Sequence, residues 1–295
     1  MPNMKFTSST LHWKRTTRRF FHNRLAVVSV LILMVIIGGV TIIPGVFTGD
    51  LDTTQASQAL LSPSVTHWMG TDDMGRDLLL RIVYGGRNSL IVGVLASSTS
   101  LLIGLLIGAI AGYFRGVLDS LLMRVTDLFF SFPSVFLILV LNMLLRDSKL
   151  SFIRSGLIPV SIIIGITSWM ELARVIRGAF LTLREREYIL AARALGASNI
   201  QIIISHILPN CIGIVIVNAT LLISNAILVE SGLSFIGFGV QPPVPTWGNL
   251  LDRGQAHFFT APWLGLFPGL MITLTLIAVN FIGDGLRDVF DPHIS

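Results

Sequence analysis

The chain has 295 residues, of which 53% are hydrophobic and only 13% are charged, and its mean hydropathy is +0.78. Ordinary soluble domains carry about 25% charged residues, so this composition nearly excludes a soluble enzyme and indicates a membrane protein. The net charge of +5 does not indicate nucleic-acid binding, because six of the 21 Lys and Arg residues lie in the first 24 positions, just before a long apolar run.

The sequence carries no recognisable catalytic or metal-binding motif. Its single cysteine, Cys211, excludes an intrachain disulfide framework, and no Cys and His spacing is typical of a zinc site. None of the three lysines lies in the Gly-x-x-x-x-Gly-Lys-Ser/Thr setting that holds nucleotide phosphates. We therefore expect no catalytic residue, no cofactor and no metal site in this chain.

Six stretches contain no Asp, Glu, Lys or Arg, and we predict a membrane span in each. They are residues 25–49, 88–114, 128–145, 155–170, 194–229 and 254–283. Crossing a bilayer takes about 20 apolar residues, so the short third span is expected to begin before Asp127 and the short fourth to continue past Glu171. The first stretch is too long for a cleaved signal peptide and predicts a retained anchor. The predicted fold class is an all-α polytopic membrane protein.

Lys and Arg are distributed unevenly among the segments that join these spans. With the N-terminus in the cytoplasm, the segments on the cytoplasmic side carry 14 of them and the outer segments carry 7. Because cytoplasmic loops are enriched in Lys and Arg, we expect both termini to be cytoplasmic. The cytoplasmic segments are then 1–24, 115–127, 171–200 and 284–295, and the outer segments are 50–87, 146–154 and 230–253.

Three aspartates in the external segment, at about 50–87, precede an amphipathic run from Leu78 to Tyr84. Asp72, Asp73 and Asp77 lack the alternating ligands and the terminal Glu of a calcium loop. Aspartate is a favoured residue at helix N-termini. We therefore expect them to cap a helix rather than to bind calcium.

Glycines recur every four residues in the second span, at Gly104, Gly108 and Gly112. This spacing places them on one face of a helix, where another helix backbone can approach closely. Helix packing inside one bundle is favoured over a dimerisation motif, because glycine is common in membrane helices.

The predicted spans contain amides and hydroxyls but no ionisable side chain except His206. Ion-coupled carriers usually need an ionisable group at membrane depth, so this pattern argues against one. An interhelical hydrogen bond is favoured over a substrate contact for each amide. The amides are Asn142, Asn210, Asn218, Asn225 and Asn280.

The segment between the fourth and fifth spans, at about 184–209, predicts a short amphipathic helix. An apolar stripe follows helical spacing, Gly196 is placed to end the helix in a left-handed turn, and Ser198 or Asn199 can cap the next helix. The stripe consists of Tyr188, Ala191, Ala192 and Leu195. Its small residues favour docking onto another protein, and lying on the membrane surface stays open as the alternative.

The run from Ala191 to Gly196, followed by Leu208-Pro209, resembles the Glu-Ala-Ala…Gly…Ile-x-Leu-Pro loop of ATP-binding-cassette importer permeases. Leu190 stands where that pattern has Glu, His206 stands where it has Ile, and Glu187 lies one turn from the missing carboxylate. Further motifs resemble the second-permease branch of the dipeptide, oligopeptide and nickel importers. These are Gly70–Asp77, Arg87–Leu90, Ser234–Gly239, Gln241–Pro243, Trp247–Gly248 and Gly283–Asp288.

The resemblance implies the MetI-like fold of type I importer permeases, with six transmembrane helices in residues 25–295 after a basic cytoplasmic segment at 1–24. It implies a multi-pass protein of the bacterial inner membrane that is not itself an enzyme and imports di- or oligopeptides. Nickel complexes and glutathione stay open as substrates. An ion-coupled secondary carrier and a membrane-anchored scaffold are the competing functions.

The resemblance also implies partners and contact residues. A homologous second permease would complete the pore, two cytoplasmic ATPases would bind ATP and Mg²⁺, and an extracytoplasmic binding protein would deliver the solute. The membrane lipid is a further partner, and nucleic acid is not. The residues implied to contact the ATPases are Glu187, Tyr188, Ala191, Ala192, Leu195, Gly196, Ala197, Leu208 and Pro209.

Overall fold

The computed structural model describes residues 20–21, 23–46, 51, 53–146 and 156–290. Within these ranges the chain is helical and has no β-strand; one isolated bridge joins Thr71 and Asp77. A 3₁₀ turn occupies Ala56–Gln58 and a π-helical turn occupies Ile203–Ile207. The helices, in chain order, are α1 (Arg24–Val46), α2 (Leu78–Phe114), α3 (Gly116–Ser131), α4 (Ser134–Arg146), α5 (Leu157–Ile166), α6 (Met170–Leu183), α7 (Glu187–Ala194), α8 (Asn199–Ile202), α9 (Leu208–Phe235), α10 (Trp247–Ala256) and α11 (Trp263–Phe290).

The described helices include four that are long and apolar enough to cross a bilayer alone: α1, α2, α11 and the run Asn199–Phe235, which contains α9. Two further pairs pass the same test only when taken together, α3 with α4 and α5 with α6, and these pairs are bent by 85° and 46°. The described chain therefore has four to six spans, and the predicted all-α polytopic fold is confirmed.

Helix α2 begins ten residues before the predicted second span, at Leu78. Asp77 caps it, because its Oδ1 accepts a hydrogen bond from the Leu80 amide at 3.2 Å; the capping prediction for this aspartate is confirmed. At 1.5 Å per residue the 37-residue helix is about 55 Å long, so it extends well beyond a hydrocarbon core of about 30 Å. The predicted external segment, 50–87, thus ends in the helix expected after Asp77, and the predicted second span began later because the charge-free criterion stops at Arg87.

The predicted third and fourth spans are each interrupted. The third breaks where Phe132 adopts an extended conformation (φ −91°, ψ 133°) before Pro133, a residue that disfavours helix in its predecessor. The fourth breaks after Ile166, where the Thr167 hydroxyl donates back to the Ile163 carbonyl at 2.9 Å. Each span was predicted as one apolar stretch, and apolar length alone does not register such breaks.

The short fourth span was expected to continue past Glu171, and helix α6 does carry the chain on from Met170 to Leu183. Residues 172–180 of α6 pack along the Gly104–Gly112 face of α2, in the predicted second span. Ion pairs compensate the two arginines of α6: Arg174 contacts Asp127 at 2.6 Å, and Arg177 contacts both carboxylate oxygens of Asp119 at 2.5 and 2.7 Å.

The predicted sixth span, 254–283, begins too early along the chain. Residues 254–256 end the short helix α10, and the apolar helix α11 starts only at Trp263. Trp247, at the start of α10, is fully buried, and its Nε1 donates to the Ile82 carbonyl at 2.9 Å. Helix α10 thus packs onto the start of α2.

A carboxylate lies in the spanning helix α9, contrary to the prediction of spans without ionisable groups. Glu230 is fully buried; its Oε1 accepts from the Ser234 hydroxyl at 2.7 Å, and its Oε2 has no hydrogen-bond partner within the described ranges. The predicted span stopped at residue 229 because of this charge, whereas α9 runs to Phe235. The absence of carboxylates from the six charge-free stretches therefore does not extend to the whole of α9.

Candidate functional site

Helices α7 and α8 form a tight helical hairpin between the membrane helices α6 and α9. The turn is closed by two backbone hydrogen bonds, from Gly196 N to Arg193 O at 3.0 Å and from Ala197 N to Ala192 O at 3.1 Å. These are the two bonds of a Schellman C-cap, in which the residue after the last helical residues adopts a left-handed conformation. Gly196 has φ +86°, as this cap requires. The predicted left-handed end of α7 is confirmed.

The second helix of the hairpin begins at a side-chain cap. The Ser198 hydroxyl accepts from the Gln201 amide at 3.3 Å, which confirms Ser198, and not Asn199, as the capping residue. The chain then passes through the π-helical turn before Pro209. Because Pro209 has no amide hydrogen, the regular bond to the carbonyl four residues back is impossible there, and a local π-turn accommodates the missing bond.

The inner side of the hairpin is fixed in an apolar cluster. Ile189 of α7 is fully buried and packs in one cluster with Ile202, Ile207 and Phe180, which are also fully buried. Burying such a side chain contributes about 1.5–3 kcal/mol. The helical spacing of the apolar stripe did not single out Ile189, because that stripe is the exposed side of α7.

Polar contacts join the same hairpin to the end of α2. The Tyr113 hydroxyl donates to Asn199 Oδ1 at 2.7 Å, and the Arg184 guanidinium donates to the Tyr113 carbonyl. Arg184 and Arg193 also lie over the Tyr113 ring, with the guanidinium carbon 5.5 and 6.0 Å from the ring centre. Tyr113 is 2% exposed. A force on the hairpin would therefore be transmitted to α2 through a buried contact.

Tyr113 was not predicted, although its position at the end of the charge-free run is consistent with an interfacial anchor. A further ion pair reinforces the junction: Arg115 donates to Glu185 at 2.5 Å. Both of its side chains are largely exposed, so this pair contributes little on its own.

The outer side of the hairpin is an exposed apolar surface. Tyr188 is 44% exposed, Leu190 52% and Leu195 89%. Ile200 and Ile204 extend this surface beyond the turn, at 70% and 58%; they follow one another at i, i+4 spacing, a signal that the sequence contains. We call these five residues the coupling surface.

The remaining predicted contact residues lie on or beside the coupling surface. Glu187, Ala191, Gly196 and Pro209 are exposed, whereas Ala192, Ala197 and Leu208 are partly buried. Leu208 and Pro209 are separated from the turn by α8 and the π-helical turn and begin α9. The structure thus groups most of the predicted residues on one hairpin and places the last two at its base.

The three glycines of α2 all face α6. A Cβ built on Gly108 would lie 2.5 Å from the Ala173 carbonyl oxygen, and one built on Gly112 would lie 2.6 Å from Phe180 Cβ. At Gly104 the nearest atom would be in the Leu172 side chain, at 2.9 Å. At Gly108 and Gly112 the backbones of α2 and α6 approach so closely that no side chain would fit.

The sequence matches two known protein families. A family described as "Binding-protein-dependent transport system inner membrane component" matches residues 104–295, which include the hairpin and every helix after it. The chain belongs to this family. Residues 12–63 match a second family, described as the N-terminal transmembrane domain of oligopeptide transport permease C.

Curated relatives and solved structures agree with that assignment. The chain is 42% identical over 282 residues to the oligopeptide transport system permease protein OppC of Haemophilus influenzae, covering 95% of this chain and 88% of the relative. It is 41% identical to OppC of Escherichia coli K12, covering 95% and 91%, and 37% identical to OppC of Bacillus subtilis, covering 96% and 90%.

An inward-facing structure of the methionine ABC transporter MetNI matches with a TM-score of 0.59 at 19% identity, covering 72% of this chain and 97% of that chain. At this identity the match supports the fold alone. The chain is thus a multi-pass membrane permease with the MetI-like fold of type I importers, as the sequence predicted.

Proposed function

We propose that this chain is one of two permease subunits that form the pore of an ATP-driven importer of oligopeptides. The relation to OppC over nearly the whole length of both chains is the observation that carries the substrate class. The coupling surface supports the energy source, because about half or more of each of its five large side chains is exposed in the single chain. Two ATPases would each cover such a surface, one on each permease.

In this proposal the ATPases bind ATP and Mg²⁺, and an external binding protein delivers the peptide. The hairpin receives the movement of the ATPase at the coupling surface. Ile189 and Tyr113 transmit it, because both are buried and join the hairpin to α6, α9 and α2. A packed core transmits a displacement rather than absorbing it, so movement of the hairpin would tilt these helices and switch access to the pore.

The orientation belongs to the same proposal. With the coupling surface in the cytoplasm, the C-terminal ends of α2 and α11 and the start of α9 are also on the cytoplasmic side, whereas α10 is outside. This agrees with the excess of Lys and Arg in the predicted cytoplasmic segments. The N-terminal segment 1–19 carries five of the 14 basic residues that give this signal and lies outside the described residues.

The substrate class is tested by uptake into proteoliposomes that contain this chain, its sister permease, both ATPases and the binding protein. We expect ATP-dependent uptake of a labelled tripeptide or pentapeptide, and an excess of unlabelled peptide should abolish it. Nickel chelates and glutathione should compete at least tenfold more weakly. Uptake of nickel or glutathione in preference to every peptide would contradict the proposed substrate.

A further inference from the structure

One side of α9 carries amides on its exposed surface. Positions 214, 218, 221, 225 and 228 recur at the i, i+4, i+7 spacing of one helix face. Ile214, Leu221 and Leu228 are 38%, 41% and 53% exposed, Asn225 is exposed and Asn218 is partly exposed. Asn218 donates to the Ile214 carbonyl one turn back, at 2.8 Å, and its amide oxygen stays available as an acceptor.

The packing of α9 against the antiparallel α11 fixes which residues lie at the same depth. A Cβ built on Gly213 would lie 2.7 Å from Phe290 Cγ, and one built on Gly283 would lie 3.3 Å from Leu221 Cδ2. Because the two helices run in opposite directions, each step of one residue forward along α9 corresponds to one residue backward along α11. From the two contacts above, Asn280 therefore lies at the same depth as Asn225, to within about one helical turn of 5.4 Å. Asn280 is exposed as well.

The amides of the two helices lie on the same side of the pair. At about 100° per residue, Asn280 lies about 60° to one side of the α9-facing Gly283. Viewed along the helix axes, Asn218 and Asn225 lie on that same side of the α9 residues that face α11. The opposite side of the pair lines an apolar cleft of about 510 Å³ beside α1, which includes Ile223 of α9 and Ile282 of α11. The two sides therefore differ in chemistry, one apolar and the other with three amides.

A face with these amides is a poor lipid-facing surface. A polar group without a hydrogen bond in hydrocarbon costs several kcal/mol. Neither Asn225 nor Asn280 has a hydrogen-bond partner within the described part of the chain, and neither makes the interhelical bond that was favoured from the sequence. Water or a polar ligand is the environment that satisfies them.

We propose that the amide strip, defined as Asn218, Asn225 and Asn280, is this subunit's wall of the translocation path and hydrogen-bonds the main chain of a peptide in transit. The inference rests on the proposed function. An amide side chain both donates and accepts, as does each peptide unit of the substrate. Neutral amides bind any peptide sequence through the same atoms, which is the property that a carrier of peptides with varied side chains requires.

The strip is tested in the complete importer, in a background with Cys211→Ala. Asn225→Cys and Asn280→Cys are exposed to a small, positively charged, membrane-impermeant thiol reagent on both sides of the vesicle during ATP turnover. Ile223→Cys and Ile282→Cys are matched controls, because they lie at similar depths on the same two helices but line the apolar cleft.

We expect the two strip cysteines to react at least tenfold faster than the controls, and excess transported peptide with its binding protein to slow them about fivefold. Asn225→Leu should lower uptake kcat/KM by about fivefold, the loss of one hydrogen bond, and Asn225→Gln should restore most of it. ATPase copurification should not change in either variant.

Strip cysteines that react no faster than the controls, while peptide uptake continues, would overturn the strip as a path wall and leave the proposed function intact. Disulfide cross-linking of such unreactive cysteines to the sister permease would identify the strip as a contact between permeases. A third outcome is that the strip cysteines react fast and are protected by a nickel chelate but by no peptide. This outcome would overturn both the peptide ligand and the proposed substrate, and would still support the strip as a wall of the translocation path.

Discussion

Gly196→Val is expected to reduce ATP-driven uptake by at least tenfold while the permease still folds and inserts. Gly196 has φ +86°, a conformation that costs a β-branched residue about 1–3 kcal/mol. A Cβ at this position meets nothing within 4 Å, so the strain comes from the backbone alone. To relieve it, the turn between α7 and α8 must open, which displaces Leu195 and the rest of the coupling surface.

Two control substitutions separate backbone strain from loss of a glycine. Gly196→Asn should retain most of the uptake, because asparagine tolerates the left-handed conformation better than other residues with a side chain. Gly178→Val, at an exposed helical glycine of α6 with open space around it, should leave coupling unchanged. Uptake and the ratio of ATPase to permease after purification are measured for all three. Wild-type uptake in Gly196→Val would show that the turn does not couple the two subunits.

Gly108→Ala is expected to lower the stability of the purified permease markedly. Its new Cβ would lie 2.5 Å from the Ala173 carbonyl oxygen and 2.8 Å from Ile176 Cβ, and neither helix can yield without moving its backbone. Overpacking of this kind costs about 1–3 kcal/mol, which outweighs the 0.5–1 kcal/mol that alanine gains over glycine in a helix. The thermal midpoint of the permease in lipid nanodiscs measures the difference.

Gly178→Ala is the matched control for this substitution, because it makes the same chemical change on the helix that Gly108 contacts, with nothing within 4 Å of the new Cβ. It should leave the midpoint unchanged or raise it slightly. A Gly108→Ala midpoint equal to that of Gly178→Ala would mean that α2 and α6 are not in close contact in the membrane.

The hairpin was predictable from the sequence because its signals are local. The helical spacing of Tyr188 and Leu195, the glycine at the end of α7 and the serine before α8 each act within a few residues. The buried side of the same hairpin was not predictable. Ile189 and Tyr113 acquire their roles from contacts with residues far along the chain, and no local pattern marks them.

Two of the span boundaries, those near Arg177 and Glu230, failed for one shared reason. The charge-free criterion treats every Asp, Glu, Lys and Arg as exposed to water, whereas Arg177 pairs with Asp119 and Glu230 bonds to Ser234 inside the helix bundle. A buried charge with a partner is compatible with a spanning helix. Whether such a partner is present depends on tertiary packing, which the sequence pattern does not contain.

The account's central claim is that ATP hydrolysis by partner subunits, and not an ion gradient, drives peptide import through this chain. The most direct measurement is peptide uptake by the reconstituted importer with ionophores present, compared with uptake when the phosphate-binding lysine of the ATPases is replaced. We predict that uptake persists when every ion gradient is collapsed and stops when that lysine is lost. Uptake that stops with the ionophore and survives the ATPase substitution would contradict the account, and Glu230, the buried carboxylate in α9, would then be the first residue to test as an ion site.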